Sequence, residues 1–401
     1  MSARILFVAS GAPNLRWGGG ARRTYQLLYE LRDLYGQDAV AFVESRELDP
    51  APASLVQQLQ RKTHRAIAKA VASADNPYER LVHGGYGQSR YLRHVESNYR
   101  RLLERNPNVQ VCIFEHLEFA ELVTLNRQRK IKTVIAPWGL ISLLSNLPFL
   151  VPALAAKRQG ADTLRDRMQV RSAGIHLANE IMLNASADKS WFLSKVESGL
   201  WHGLGLHACY MPYYAAGEAA AELDATKRRR QAAERQPGLF IVNGGNIDQN
   251  RLSLDRLVRR LSQEKLPAGA RIVVVGTDKP PDSWQDALVP QVEFKGFLPQ
   301  DEYEQLLVKA SGVLVPQVCG FGCLTRIIEM SAAGIPVIAD AMAADATGEV
   351  PGVRYIGENG SWGDALQSAI TDSVVCSDAA IIKWMDASRG MLRAELSILL
   401  S

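Results

Sequence analysis

Short apolar runs alternate with longer mixed segments along this chain. Val, Ile, Leu and Phe cluster at 5–9, 39–43, 111–114, 133–136 and 180–183, and again at 239–242, 272–275, 292–294, 313–315 and 337–339. Three to five apolar residues bounded by turn residues mark a strand buried on both faces, whereas apolar positions three and four apart mark a helix. Strand and helix in alternation close into parallel sheets, because a parallel neighbour needs a crossover connection. The series runs twice. Pro212 closes the first set, and residues 214–236 then turn Ala-, Glu- and Arg-rich, carrying Lys227, Arg228, Arg229 and Arg230 without an apolar run. The pattern predicts a domain over 1–214, a linker and hinge over 215–237, and a second domain over 238–376. A helical segment over 377–401, with Ile381, Trp384, Met385, Leu392 and Leu396 at helical spacing, is expected to pack across the domains.

Two segments stand apart from this alternation. Residues 138–156 are the most apolar stretch, but Gly139, Asn146, Pro148 and Pro152 interrupt it, which argues against a membrane span. A buried helix is expected there, with an acceptor pocket or an interfacial element as the alternatives. Residues 54–72 form a basic amphipathic helix with Arg61, Lys62, Arg65 and Lys69, read as a solvated face, or else as one turned to anionic lipid or acceptor.

Composition narrows the class. Of 401 residues, 47% are hydrophobic and 22% charged, the balance of a globular protein, and the length calls for two cores. A net charge of +4 spread along the chain leaves no nucleic-acid footprint. The five cysteines, an odd number without a CxxC pair or a His at zinc spacing, fit reduced thiols in a cytoplasm. Met1 runs directly into the first apolar run, which reads as a chain without a signal peptide.

Chemistry concentrates in residues 313–339. A strand leads into Gly320, Phe321 and Gly322, a helix opens near Cys323 or Leu324, Arg326 and Glu329 follow three residues apart, and Gly334, Pro336 and Val337 begin the next strand. Glycines let the backbone approach a ligand closely, and a helix N-terminus presents free N–H groups, so a diphosphate suits this loop. A carboxylate one turn further on can accept both ribose hydroxyls of a nucleotide, which is the role expected of Glu329; the plainer alternative pairs it with Arg326. Cys319 and Cys323 lack the further ligands a zinc site needs.

This stretch resembles the signature of glycosyltransferase family 4, the group 1 glycosyltransferases, in which a glycine loop, a helix, a Glu and Gly-x-Pro-Val recur at this spacing. The resemblance implies an α/β fold of the GT-B type: two Rossmann-like parallel-sheet domains facing a cleft, with the nucleotide-sugar donor held by the C-terminal one. It extends to the loop after 239–242, where Gly245 and Asn246 precede Arg251, a candidate clamp for the diphosphate. Gly276 at the next strand end is a candidate for the base or ribose pocket. The family's earlier Glu, eight residues before the second, is replaced here by Phe321; backbone amides of Phe321, Gly322 and Cys323 are its candidate substitutes.

In the first half, Gly18, Gly19 and Gly20 follow the first strand and resemble the family's N-terminal glycine loop, which meets donor phosphate or sugar. The eight residues from Ser10 to Gly18 exceed the tight turn of a dinucleotide motif, which sets NAD binding aside. Glu115 and His116, just past the 111–114 strand, are the candidate catalytic pair, able to position or deprotonate an acceptor hydroxyl. Trp138 stands where many relatives end the next strand, and either stacks on sugar or acceptor or fills the core.

The expectation is therefore hexosyl transfer from a nucleoside diphosphate sugar to an acceptor hydroxyl, with retention if family chemistry carries over. The donor is a substrate, and no cofactor or metal is expected, since the chain has no Asp-x-Asp motif to hold a cation. The acceptor is a sugar, lipid or small molecule, and the location is cytoplasmic, compatible with the membrane surface. The alternatives are a sugar-nucleotide 2-epimerase and a non-catalytic nucleotide-sugar-binding protein of the same fold.

Overall fold

The computed structural model describes residues 3–9, 11–15, 19–48, 89–115, 122–144, 147–245, 248–277, 280, 289–322, 324–371 and 378–400. Its contacts divide the chain into two compact units. The first is Met1–Phe192 with Ser198–Tyr210 and Arg393–Ser401; the second is Leu193–Glu197 with Met211–Leu392.

Among the described residues the first unit holds a six-stranded parallel sheet: β1 (Ile5–Ala9), β2 (Val40–Glu44), β3 (Val111–Phe114), β4 (Lys132–Ile135), β5 (Lys189–Phe192) and β6 (Ala208–Tyr210). They lie in the order β2-β1-β3-β4-β5-β6. Every residue of β1 and β3 is buried, as the unbroken apolar runs require of central strands covered on both faces. The chain leaves β1 towards β2 on one side and returns to β3 on the other, so the sheet has a switch point between the carboxyl ends of β1 and β3.

The second unit repeats the plan with β7 (Leu239–Asn243), β8 (Arg271–Val275), β9 (Val292–Gly296), β10 (Gly312–Val315), β11 (Val337–Asp340) and β12 (Val353–Ile356), in the order β12-β11-β10-β7-β8-β9. Its switch point lies between β7 and β10. Val313, Leu314 and Val315 are fully buried, and each contributes about 1.5–3 kcal/mol by leaving water. The core on one side of this sheet gathers Phe240, Val242, Leu254, Leu257, Leu314 and Trp362.

Three expectations are corrected. Residues 180–183 are not a strand: they lie inside the helix Leu164–Ser186, and the next strand is β5. That helix turns Asn179, Glu180 and Asn184 inward. Polar anchoring there, with Glu180 accepting from the Ser142 amide at 2.9 Å, lets Ile181, Met182 and Leu183 continue a helix. The segment expected as a linker is the helix Gly217–Ala232 of the second unit, whose Arg230 is buried. The apolar stretch expected as a buried helix forms Leu147–Arg158, which leaves Val151 and Leu154 exposed. The basic segment 54–72 lies outside the described residues. The final helix runs Asp378–Ser397, and the division between units falls within it, at Leu392 and Arg393.

Candidate functional site

At the switch point of the second sheet, the β7 and β10 loops emerge side by side. After β7, the Gly244 amide donates to Val275 O and the Gly245 amide to Gly276 O, both at 2.8 Å, which extends the β7–β8 ladder past the strand ends. Gly245 and Gly276 adopt φ of +85° and +78°, where side chains are strained, and a Cβ on Gly244 would meet Thr277 Cγ2 at 2.6 Å. These glycines are thus required by backbone packing. Arg251, on the helix Asp248–Gln263, is exposed and makes no hydrogen bond or ion pair with the described residues.

The β10 loop is held from several directions. The Gln317 amide donates to Asp340 Oδ2 at 2.9 Å, and burial pushes the Asp340 carboxyl up, opposed by that amide and by Arg256 and Arg260. Gln249 Nε2 donates to Phe321 O at 3.4 Å. Ser194 Oγ donates to Gly320 O at 3.1 Å, and the Gly322 amide donates to Glu197 Oε1 at 3.1 Å. One of the amides expected to substitute for the family's missing Glu is therefore bonded to a fully buried carboxylate of the chain itself. Leu324, at the N-terminus of the helix Thr325–Ala332, is buried.

That helix carries the expected pair, and each member has its own partner. Arg326 reaches back to Asn243 O through Nη1 and to Asn250 Oδ1 at 3.1 Å through Nη2, tying the helix to the β7 loop. Burial pulls its guanidinium below the ordinary value, with Tyr303 and Glu329 offsetting. Glu329, 5% exposed, accepts from Tyr213 Oη at 2.5 Å.

In the first unit, the expected residues converge at the other switch point. Gly19 and Gly20 open the helix Gly19–Tyr35, and a Cβ on Gly20 would lie 2.8 Å from the Trp138 ring, so the indole packs directly on this glycine. Thr24 Oγ1 lies 3.1 Å from Gly20 O and donates to Glu115 Oε1 at 2.6 Å. Glu115 is 1% exposed; its carboxylate braces the glycine-led helix, in place of the free base expected at the strand end. Gly18, His116, Asn246 and Cys323 lie outside the described residues.

Sequence reasoning missed Glu197, Tyr213, Gln249 and Asp340. Asp340 alone had a local signal, as a carboxylate ending a buried strand.

Two thiols report on this packing. Burial pushes Cys319 up to about 11 and Cys112 up to about 12, from an ordinary 9. A folded-state value above the unfolded one supplies stability that is complete below pH 9 and is lost as pH climbs through the folded value. Resistance to urea is thus expected to fall from pH 9 towards 11, less steeply in Cys319→Ala. At about pH 8 neither buried thiol should be alkylated before unfolding; native labelling at Cys112 or Cys319 would contradict this packing.

Residues 239–372 match the family model described as glycosyl transferases group 1. Alr3699/HepE of Anabaena, crystallised in complex with UDP, superposes with a TM-score of 0.53 at 12% identity, covering 99% of each chain. A glycosyltransferase from Rickettsia africae ESF-5 gives a TM-score of 0.50 at 11% identity, covering 99% of this chain and 98% of that one. No curated protein sequence matches. At such identities the likeness establishes the fold, which is GT-B, and the residues matched by the family model fall within the second unit.

Proposed function

We propose that this chain is a glycosyltransferase moving a hexosyl group from UDP-sugar to an acceptor hydroxyl, with the donor bound by the second unit. The observation that carries this reading is the conjunction, at one switch point, of a glycine loop and a buried carboxylate, Glu329, one turn into the following helix. Alr3699/HepE has been crystallised with UDP and with UDP-glucose, which supports uridine as the base.

In the reaction, the exposed guanidinium of Arg251 and the amides of Phe321 and Cys323 neutralise charge on the departing diphosphate, a task electrostatic groups perform without a covalent nucleophile. Glu329 accepts the ribose hydroxyls. The leaving phosphate oxygen takes the acceptor proton, and the configuration is retained. Glu115 positions the glycine-led helix of the first unit, Trp138 offers a stacking face to the acceptor, and His116 orients its hydroxyl. No step uses a metal, and the protein works in a reducing cytoplasm.

A thermal-shift screen of nucleoside diphosphates tests the donor. A ligand at one hundred times its Kd adds about 2.7 kcal/mol of stability, and UDP is expected to give the largest shift. Transfer is then read on an acceptor panel with and without EDTA, which should leave the rate unchanged. Loss of turnover on chelation, or a shift from another base only, would overturn the corresponding part. The Gly322 amide bonded to Glu197 favours a second reading, donor binding without catalysis; a UDP shift without transfer, and without an altered sugar on incubation with donor alone, would select it.

A further inference from the structure

The helical hairpin of the first unit is built inside out. Its second helix, Leu164–Ser186, buries Ala173 with the polar Asn179, Glu180 and Asn184, while Leu164, Met168 and Met182 are 74%, 63% and 68% exposed. At 100° per residue, positions 164, 168, 171, 175 and 182 fall on one stripe, so these three side chains share a face with Ile175 and Arg171. The first helix, Leu147–Arg158, leaves Val151 and Leu154 exposed and ends on Arg158. A water-facing helix normally shows the opposite pattern, and adjacent exposed apolar side chains mark a surface that meets something.

Charge says what. Arg158, Arg165 and Arg171 are exposed and form no hydrogen bond or ion pair with the described residues. The half-buried acids at the hairpin's turn are already engaged: Asp162 binds Arg167 at 2.7 Å, and Asp166 closes a capping box with Thr163. That box fixes the start of the second helix and so holds the stripe in place. No helix among the described residues is long and apolar enough to cross a membrane.

We propose that this hairpin docks on an anionic lipid surface, its leucines and methionines entering the acyl boundary while Arg158, Arg165 and Arg171 meet lipid phosphates. An amphipathic face with unpaired cations is the combination that binds such a surface. A second copy of the chain fits less well, because a two-fold contact would set two equally cationic patches face to face. The inference does not depend on the transferase reading, and its test uses no sugar donor.

The test is co-sedimentation of the full chain with vesicles of phosphatidylcholine, alone or containing about a third phosphatidylglycerol. Binding to the anionic vesicles should be at least about tenfold tighter and weaken with salt. Removing three surface cations in Arg158→Gln/Arg165→Gln/Arg171→Gln should cut that binding about 100-fold, and Leu154→Glu/Met168→Glu more than about tenfold. All these positions are exposed, so the melting temperature should stay at the wild-type value. No binding to either vesicle, variants that bind like wild type, or a dimer that Leu154→Glu/Met168→Glu dissociates would overturn the proposal.

Discussion

Glu329→Ala is expected to weaken UDP binding about 100-fold, the loss of two hydrogen bonds to a carboxylate worth about 1.5 kcal/mol each. The site predicts a second effect from the same change: Tyr213, 1% exposed, loses the acceptor for its hydroxyl, which costs about 1–3 kcal/mol of stability. Tyr213→Phe separates the two. It removes the phenol–carboxylate bond and leaves the carboxylate, so it should lower the melting temperature yet hold UDP affinity within about threefold. Calorimetry with UDP reads the affinities, and thermal unfolding reads the stabilities. If Glu329→Ala bound UDP like the wild type while melting cooperatively, the carboxylate would have no part in holding nucleotide, and the donor assignment would fail with it.

How much of this site could be read in the sequence depended on distance along the chain. The glycine loop, Arg326 and Glu329 lie within ten residues of one another, and a strand, a loop and a helix in series fix their mutual placement. Glu115 was legible for a similar reason, since a carboxylate ending a buried strand must emerge at the sheet's carboxyl edge. The partners were not. Tyr213 stands 116 residues from Glu329, and Glu197 stands 125 residues from Gly322; no periodicity links positions so far apart. Each partner also changes the chemistry, turning an amide expected to be free into a bonded one and giving the expected ribose acceptor a resident donor.

The misread elements have physical causes of the same kind. Glu180, Ile181, Met182 and Leu183 look like a buried strand because three apolar residues adjoin, but the helix they occupy is anchored by its polar residues. β5 was missed because Lys-Ser-Trp-Phe holds only two apolar residues, and β12 because Arg354 interrupts Val-Arg-Tyr-Ile, a half-buried strand at the sheet edge. Residues 217–232 lacked an apolar run because their main tie to the second unit is a guanidinium.

That guanidinium supports the other large prediction. Arg230 Nη1 donates to Leu307 O and Val308 O at 3.1 Å and to Ala310 O at 2.6 Å, and Nε donates to Gly334 O at 3.1 Å. These carbonyls lie at the C-terminal ends of Gln300–Lys309 and Thr325–Ala332, where helices leave C=O groups without intrahelical donors and favour a positive charge. One side chain thus caps two helices. Burial pulls it down to about 10, still high enough to stay charged at neutral pH. Arg230→Ala is therefore expected to destabilise the second unit by about 3–5 kcal/mol, since several buried carbonyls lose a charged donor at about 1–3 kcal/mol each. Arg230→Lys should recover only part, because an ammonium lacks the planar fork that reaches several carbonyls at once. As the group is charged on both sides of the folding transition below its folded value, the deficit should be constant between about pH 6 and pH 9. Urea unfolding measures the loss, and faster amide exchange in Gln300–Lys309 locates it. Since Gly334 closes the helix that bears Glu329, UDP affinity should fall with the cap; a deficit below about 1 kcal/mol would show that water replaces Arg230 at these carbonyls.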